Sequence, residues 1–392
     1  MTEAHRGARW ALLYGNFTIG CGVMVVAGAL NDLVRSLQVS VAVGGQLIAV
    51  AAVVMAVGAP LMAAVVAGID RRRLLTLALL WFGLGHGLSA LMPNYAALLP
   101  VRALSVLGAA VFTPQAAAAI GVMVPPEQRG RAITFVFLGW SVSSVLGMPL
   151  HAYIGEAFGW RHAFGLVALL ALAGAAWVWR AMPDGVRPAA LSLAHWRQVF
   201  THPVLMAIVA VTALSGAGQF TLFSYIAPYY RQVLGASAGQ ISLMFLWYGA
   251  VGVFGNVLLS RHIDRFGTDR AVALLLGCMA LSLLAWPLGA TLPLMVLVIA
   301  PWALGCFASN SAQQARLSLA APALAPALVA LNSSAIYVGQ ALGASSGGAI
   351  MAQQGFGPLH WVGSAWMLAA LALSQWAARR SRGPRPPEAA LG

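Results

Sequence analysis

The sequence predicts an all-α membrane protein with twelve transmembrane helices arranged as two pseudo-symmetric six-helix bundles. Three observations lead there: composition, the spacing of the apolar runs, and an internal repeat. Of the 392 residues, 60% are hydrophobic and 8% are charged, and the mean hydropathy is +0.83. A soluble domain is about 45–50% apolar and about 25% charged. This composition excludes a soluble globular enzyme, a disordered protein and a coiled coil.

A helix that crosses about 30 Å of hydrocarbon needs about 20 apolar residues. Runs of that length lie near 11–31, 41–66, 74–92, 97–122, 133–154 and 162–180, and then near 203–227, 240–260, 271–290, 294–314, 326–350 and 360–378. Only a short turn around Pro293 divides the ninth run from the tenth. Gly and Pro recur within the runs, as expected where small residues let helices approach closely. The first run is long enough to span, so no cleavable signal peptide is expected. The stretch 181–201 is too polar to span, and it separates a first unit, 1–180, from a second, 202–380, with a tail at 381–392. Within it Leu193, Trp196 and Phe200 recur at helical spacing beside Arg197. That pattern suits a short helix on the membrane surface; an unstructured linker is the alternative.

Loop charge tests the count. All 22 basic residues are arginine, against 9 acids, for a net charge of +13. They form short clusters between apolar runs rather than one basic face, so a nucleic-acid partner is not expected. With twelve spans, Arg6, Arg9, Arg71, Arg72, Arg73, Arg129, Arg131, Arg180, Arg187, Arg197, Arg261, Arg265, Arg270, Arg316, Arg379, Arg380, Arg382 and Arg385 fall on the side of the termini. Only Arg35, Arg161 and Arg231 fall opposite, and Arg102 lies inside a span. The asymmetry places both termini in the cytoplasm of a cell whose inner membrane holds the protein. Cys21, Cys278 and Cys306 lie in apolar runs without metal or disulfide spacing and read as packing residues; no metal or cofactor is expected.

The repeat appears at a constant offset of 194 residues, with Gly45-Gln46 on Gly239-Gln240, Ala56-Val57-Gly58 on Ala250-Val251-Gly252 and Ile69-Asp70-Arg71 on Ile263-Asp264-Arg265. A parallel duplication of a six-helix unit places a pathway between the halves.

Several segments then carry a family likeness. Gly255 to Gly267 contains Asp264-Arg265-Phe266-Gly267, similar to the loop motif of the major facilitator superfamily, and Asp70-Arg71-Arg72-Arg73 is a copy without the downstream glycine. Arg102, six residues before Gly108, resembles the fourth-helix arginine motif. Gly147-Met148-Pro149-Leu150, Gly155 and Gly159-Trp160-Arg161 resemble the fifth-helix antiporter motif and its following turn. Ala330-Leu331-Asn332-Ser333-Ser334, running into Gly339, Gly343, Gly347 and Gly348, resembles the eleventh helix of the drug and arabinose-efflux-permease-like branch of proton antiporters. The resemblance covers nearly the whole chain.

It implies an export carrier that works by rocking of two bundles, and it suggests residue roles. Arg102 lies about 7.5 Å inside its span by a rise of about 1.5 Å per residue. A charge there calls for a cavity or a partner. The resemblance implies proton coupling through this arginine, with Asp32 on the first helix as the expected partner, opposed by the plain reading of Asp32 as a helix cap. His151 stands where the antiporter motif usually has glycine and joins the coupling candidates, although altered packing explains it equally. His86, between Gly85 and Gly87, reads as a satisfied core histidine. Asp70, Arg71, Arg73, Asp264 and Arg265 carry the gating role the resemblance implies, against simple topology determination. Gly147, Pro149, Gly155, Gly339 and Gly343 suit close helix packing, with a bend at Pro149. Helices one, four, seven and ten line the pathway in this superfamily, which makes Asn16, Phe112, Gln115, Gln219, Tyr225, Trp302 and Asn310 the candidates for substrate contact. Their uncharged character suits a neutral or weakly cationic amphipathic solute.

The partners expected are therefore a small organic molecule, protons and membrane lipids, with the chain acting as a monomer. The alternatives are a proton-coupled importer of the same fold, and a channel or membrane enzyme. Gly139-Trp140-Ser141-Val142-Ser143 fails the nucleophile-elbow pattern, and no zinc-protease or P-loop motif occurs, so no enzyme is expected.

Overall fold

The computed structural model describes residues 3–66, 68–125, 129–187 and 193–381. Sixteen α-helices make up the described chain, which contains no strand. The first half holds α1 (Glu3–Leu37), α2 (Val41–Val65), α3 (Arg71–Leu91), α4 (Tyr95–Ser105), α5 (Leu107–Met123), α6 (Arg129–Val142), α7 (Met148–Phe158) and α8 (Trp160–Ala181). After α9 (Leu193–Phe200) come α10 (Pro203–Phe223), α11 (Ile226–Gln232), α12 (Ala238–Phe266), α13 (Thr268–Leu284), α14 (Leu292–Ala320), α15 (Ala325–Gln354) and α16 (Leu359–Ser381). Three crossings are interrupted: α4 and α5 break at Val106, a π-turn at Ser143–Gly147 joins α6 to α7, and α10 gives way to α11 at Ser224 and Tyr225. Twelve crossings result, in a multi-pass membrane protein. Among the described residues ten segments are both long and apolar enough to span; α13, with 17 residues, and α16 lie outside that set. A 3-10 turn at Trp286–Leu288 extends the short α13.

The helices stop and start where side chains satisfy their free amides. Ser40 accepts from Val43 N at 3.2 Å, Asn94 accepts from Ala97 N at 3.0 Å, and Ser237 forms a capping box with Gln240. Several helices outrun the apolar stretches, since polar ends continue the hydrogen-bond ladder: α14 reaches Ala320 and takes Arg316 with it. Leu77, Trp81, Leu84, Leu88 and Leu91 form an exposed apolar stripe along α3, tolerable only against lipid.

Below, the proximal face is the one where α1 begins and α16 ends, and the distal face is opposite. Within the second half, α10 and α15 pack backbone to backbone. A Cβ at Gly339, Gly343 or Gly347 would lie 2.3, 2.5 and 2.3 Å from the carbonyls of Ala213, Ala217 and Thr221. The four-residue spacing on both helices makes one continuous seam. In the first half, Gly147 lies against Cys21 and Gly155 against Ala29, which brings the fifth crossing onto α1. The halves meet through α2 with α15, α7 with α12, and α1 with α11.

The linker contains the short helix, α9. Its anchor is Val199, fully buried in a separate apolar cluster with Leu205, Ile208, Leu317 and Leu328 at the proximal end of the second half. Trp196 and Phe200 stack beside it at 6.0 Å. Residues 188–192 of the linker and 382–392 of the tail, with Arg382 and Arg385, lie outside the described residues.

Candidate functional site

The first half presents a small polar centre where α1, α5 and α6 meet. Asn16, fully buried, donates to the Val136 carbonyl at 3.2 Å and accepts from the Thr113 hydroxyl at 2.8 Å, while Trp140 Nε1 reaches Thr113 at 3.4 Å. Phe112 is also fully buried, its ring lying where a Cβ on Gly15 would stand, and Gln115 is buried one turn along.

The second half has a longer network. Thr212 donates to Asn332 Oδ1 at 2.6 Å, and Asn332 donates to Asn310 at 2.9 Å. Gln313 donates to the Ile208 carbonyl at 2.9 Å and to Thr212 at 3.2 Å. Arg316 carries the chain on, donating to Ser374 at 3.0 Å, with its Nε 2.7 Å from Asp269. Asn310 is among the residues the sequence points to; Thr212, Gln313 and Arg316 are not, because their importance comes from neighbours more than 40 residues away. Arg316 is buried rather than a loop charge, since α14 is longer than its apolar run. Next to this network Trp302, fully buried, donates to Gln219 at 3.4 Å and packs among Phe223, Tyr248 and Trp286 at centroid distances of 6.1, 5.9 and 5.9 Å.

Tyr225 differs from its expected place in the pathway. It is 1% exposed, its hydroxyl donates to the Ala344 carbonyl at 2.6 Å, and its ring fills the space over Gly45 of α2 and Gly348 of α15. In this conformation it is a wedge between the halves.

The expected Asp32–Arg102 pair is not formed. Asp32 accepts from the Trp160 amide at 2.7 Å, at the start of α8, and pairs with Arg35 at 2.6 Å. It caps a helix, but the start of α8 from a buried position and not the end of its own helix in water. Arg102 is fully buried and points instead at His86 Nε2, 2.8 Å away, and at the Val23 carbonyl, 3.2 Å away. His86 Nδ1 lies 2.8 Å from the Phe82 carbonyl. His151 is fully buried with its Cβ against Gly28, and neither ring nitrogen has a well-formed hydrogen bond.

The two copies of the loop motif fold differently. Asp70 caps α3, accepting from Arg72 N at 2.9 Å and Arg73 N at 3.4 Å, and its other oxygen takes the Gly185 amide at 2.6 Å. Arg71 donates to the carbonyls of Val66 and Ile69 at 3.2 and 2.5 Å, while Arg72 pairs with Asp184 at 2.7 Å. In the second copy the helix runs on through Asp264 and exposed Arg265 and stops at Gly267, whose φ of +76° a side chain would oppose. The first copy lacks that glycine and ends α2 early, using Asp70 as the next cap. The side chain of Asp264 lies outside the described residues.

Closure is uneven across the molecule. Toward the distal face, Asn31 donates to the Ala227 carbonyl at 3.2 Å, Ser242 donates to the Pro149 carbonyl at 2.9 Å, and Arg231 forms an ion pair with Glu156. All three bonds cross between halves. Toward the proximal face, Asp70 and Arg72 engage Gly185 and Asp184 in the linker just after α8, and Arg316 engages Asp269 in its own half; none of these bonds reaches the opposite half. Glu156 was missed in the sequence, where nothing relates it to a residue 75 positions away.

Two helical bundles that meet around buried polar side chains have the architecture of a membrane carrier. The sequence matches the Major Facilitator Superfamily over residues 12–343 and 214–392, and the chain belongs to that family of transporters. It is 29% identical to the inner membrane transport protein YdhP of Escherichia coli K12 over 346 residues, covering 87% of this chain and 88% of that protein. It is 28% identical to a probable sugar efflux transporter of Helicobacter pylori over 354 residues, covering 88% and 89%. Among solved structures, a D-xylose-proton symporter superposes with a TM-score of 0.80 at 17% identity, covering 97% of this chain and 99% of that one. A bacterial homologue of the lysosomal transporter Spinster, in an inward-facing conformation, gives 0.73 at 19%, covering 97% of each chain.

Proposed function

We propose that this chain exports a small organic solute from the cytoplasm in exchange for protons, by alternating access between its two halves, as a monomer in a bacterial inner membrane. The observation that carries the reading is the uneven closure: the distal bonds cross between halves, whereas the proximal bonds of Asp70 and Arg316 go to the linker or stay within one half. With the termini in the cytoplasm, as the arginine distribution favours, this is a state shut on the outer side, from which an exporter loads once the proximal side admits its solute. Names of relatives support the direction, one being a probable sugar efflux transporter and another an inner membrane transport protein.

The solute is neutral or weakly cationic and amphipathic: a drug, a sugar or a metabolite. Asn16, Gln115, Gln219 and Asn310 offer amides, and Phe112 and Trp302 offer aromatic surface, with no carboxylate among them. Rocking exposes these residues, which the present conformation largely buries. Asp70, Arg71, Arg73, Asp264 and Arg265 act at the proximal gate, the first two by fixing the loop before α3.

Reconstitution into vesicles with an imposed pH gradient, screened against a panel of sugars, amphipathic cations and neutral metabolites, tests the proposal. A solute that moves opposite to protons is the expected result. Movement of solute along with protons would replace export by import, and ionic current independent of any solute would replace the carrier by a channel.

A further inference from the structure

His86, Arg102 and His151 form a buried group of titratable side chains on α3, α4 and α7. All three are fully buried. Among the described residues Arg102 has no carboxylate within ion-pair distance, and its Nε has no partner. A buried guanidinium without a counter-ion is costly, and structures keep one where it serves a function. Its strongest bond runs to His86 Nε2, 2.8 Å away. Arginine has only donors, so that nitrogen must carry a lone pair, and the remaining ring proton sits on Nδ1, facing the Phe82 carbonyl at 2.8 Å. His86 is therefore neutral here, and Arg102 occupies the position a proton would take.

The surroundings are few. From α1 come the carbonyls of Gly22, 3.3 Å from Nε2, and Val23; from α8 comes the Phe164 ring, 5.7 Å from the imidazole centre; from α7 comes His151, which packs on the same helix α1 at Gly28. The other charges that face it are Arg102 and no acid. The same helices hold the distal closure. Val23 and Asn31 both lie on α1, and Asn31 crosses to Ala227, while His151 lies five residues before Glu156 on α7, which crosses to Arg231.

We propose that His86 Nε2 is the proton-carrying atom of the transporter, vacated by Arg102 when the distal face opens and reclaimed by it when that face closes. The inference rests on the proton-coupled reading above and supplies its carrier. In the distal-open state Arg102 withdraws, and Nε2 takes a proton from the distal side to give an imidazolium with N–H on both nitrogens. On closure Arg102 returns, the Nε2 proton leaves toward the proximal side, and the neutral Nδ1–H form inferred above is restored. His151, buried and without well-formed partners, acts as a second positive neighbour when protonated and disfavours simultaneous charging of both rings.

The experiment uses the full chain in nanodiscs, with Cys21, Cys278 and Cys306 replaced and spin labels at Ser36→Cys and Val233→Cys, two exposed distal positions. Distances across the distal face are measured from about pH 8 to about pH 5, the range in which histidine changes charge. The unsubstituted site is expected to shift toward the open distance as pH falls. His86→Gln, whose amide oxygen still accepts from Arg102, is expected to stay closed at every pH. Arg102→Gln is expected to keep the transition but move its midpoint upward by about one pH unit or more, since a nearby positive charge is gone. A pH response in His86→Gln with the original midpoint overturns the assignment of the carrier, leaving proton coupling intact. No response in the unsubstituted site overturns proton coupling itself. Should His86→Gln fail to fold, an unmoved midpoint in Arg102→Gln overturns the assignment alone.

Discussion

A side chain at Gly343 has nowhere to go. Its Cβ would sit 2.5 Å from the Ala217 carbonyl and 2.8 Å from the Thr221 amide, both main-chain atoms of α10 that no rotamer change can move. Gly343→Leu is therefore expected to push α15 off α10 and to cost about 1–3 kcal/mol, the range for overpacking a tight interface. A fall of several degrees in the midpoint of detergent-solubilised protein, followed by size exclusion, checks it; an unchanged midpoint would mean that the seam is not close-packed. The sequence made this glycine row conspicuous because four-residue spacing is visible in one dimension. Arg102 was equally visible, as a charge within an apolar run. Its partner was not, because His86 meets it only through the α3–α4 hairpin, and the aspartate on α1 that the sequence offers as counter-ion is taken up by the first amide of α8.

At the scale of elements, the α2–α3 connection shows how one carboxylate does two jobs. One oxygen of Asp70 caps α3, and the other holds the Gly185 amide after α8, while the Arg71 amide donates to Val186 at 3.0 Å. Two chain segments that are over 100 residues apart are thereby fixed together at the proximal face. Asp70→Ala removes both bonds and is expected to cost about 0.5–2 kcal/mol as a lost cap. Insertion and folding should persist, with turnover in vesicles reduced at least severalfold and increased proteolysis near Asp184. Normal turnover would leave this residue with a topological role only. The spans themselves were legible, since length and hydropathy set them. Their interruptions were less so: the bend expected at Pro149 is realised as a π-turn at Ser143–Gly147 before it, where the ladder adjusts to a proline that cannot donate. The length of α14 was also hidden, because Arg316 ends the apolar run but finds Asp269 and Ser374 and stays inside.

For the whole molecule, the decisive quantity is the balance between two closures, and Glu156–Arg231 is an ion pair that spans the halves on the distal side. Glu156 is buried at 7% side-chain exposure and Arg231 is 37% exposed, so the pair is screened on one side only. It borders a cavity of about 370 Å³ shared by Asn31, Arg35, Ser40 and Gln232, through which water reaches the guanidinium as the halves part. A partly exposed pair contributes on the order of 1 kcal/mol, and that amount changes a two-state population about fivefold. Glu156→Gln is thus expected to raise the distal-open fraction about fivefold in the spin-label measurement, with little change in the folded midpoint. Glu156→Cys together with Arg231→Cys, bridged by a cleavable bis-thiol cross-linker that spans the two side chains they replace, should stop turnover and release it when the linker is cleaved. A latch must open once in each cycle, so both results are needed: full cross-linking with undiminished flux would show that the distal face does not move, and the alternation of access would fall with it.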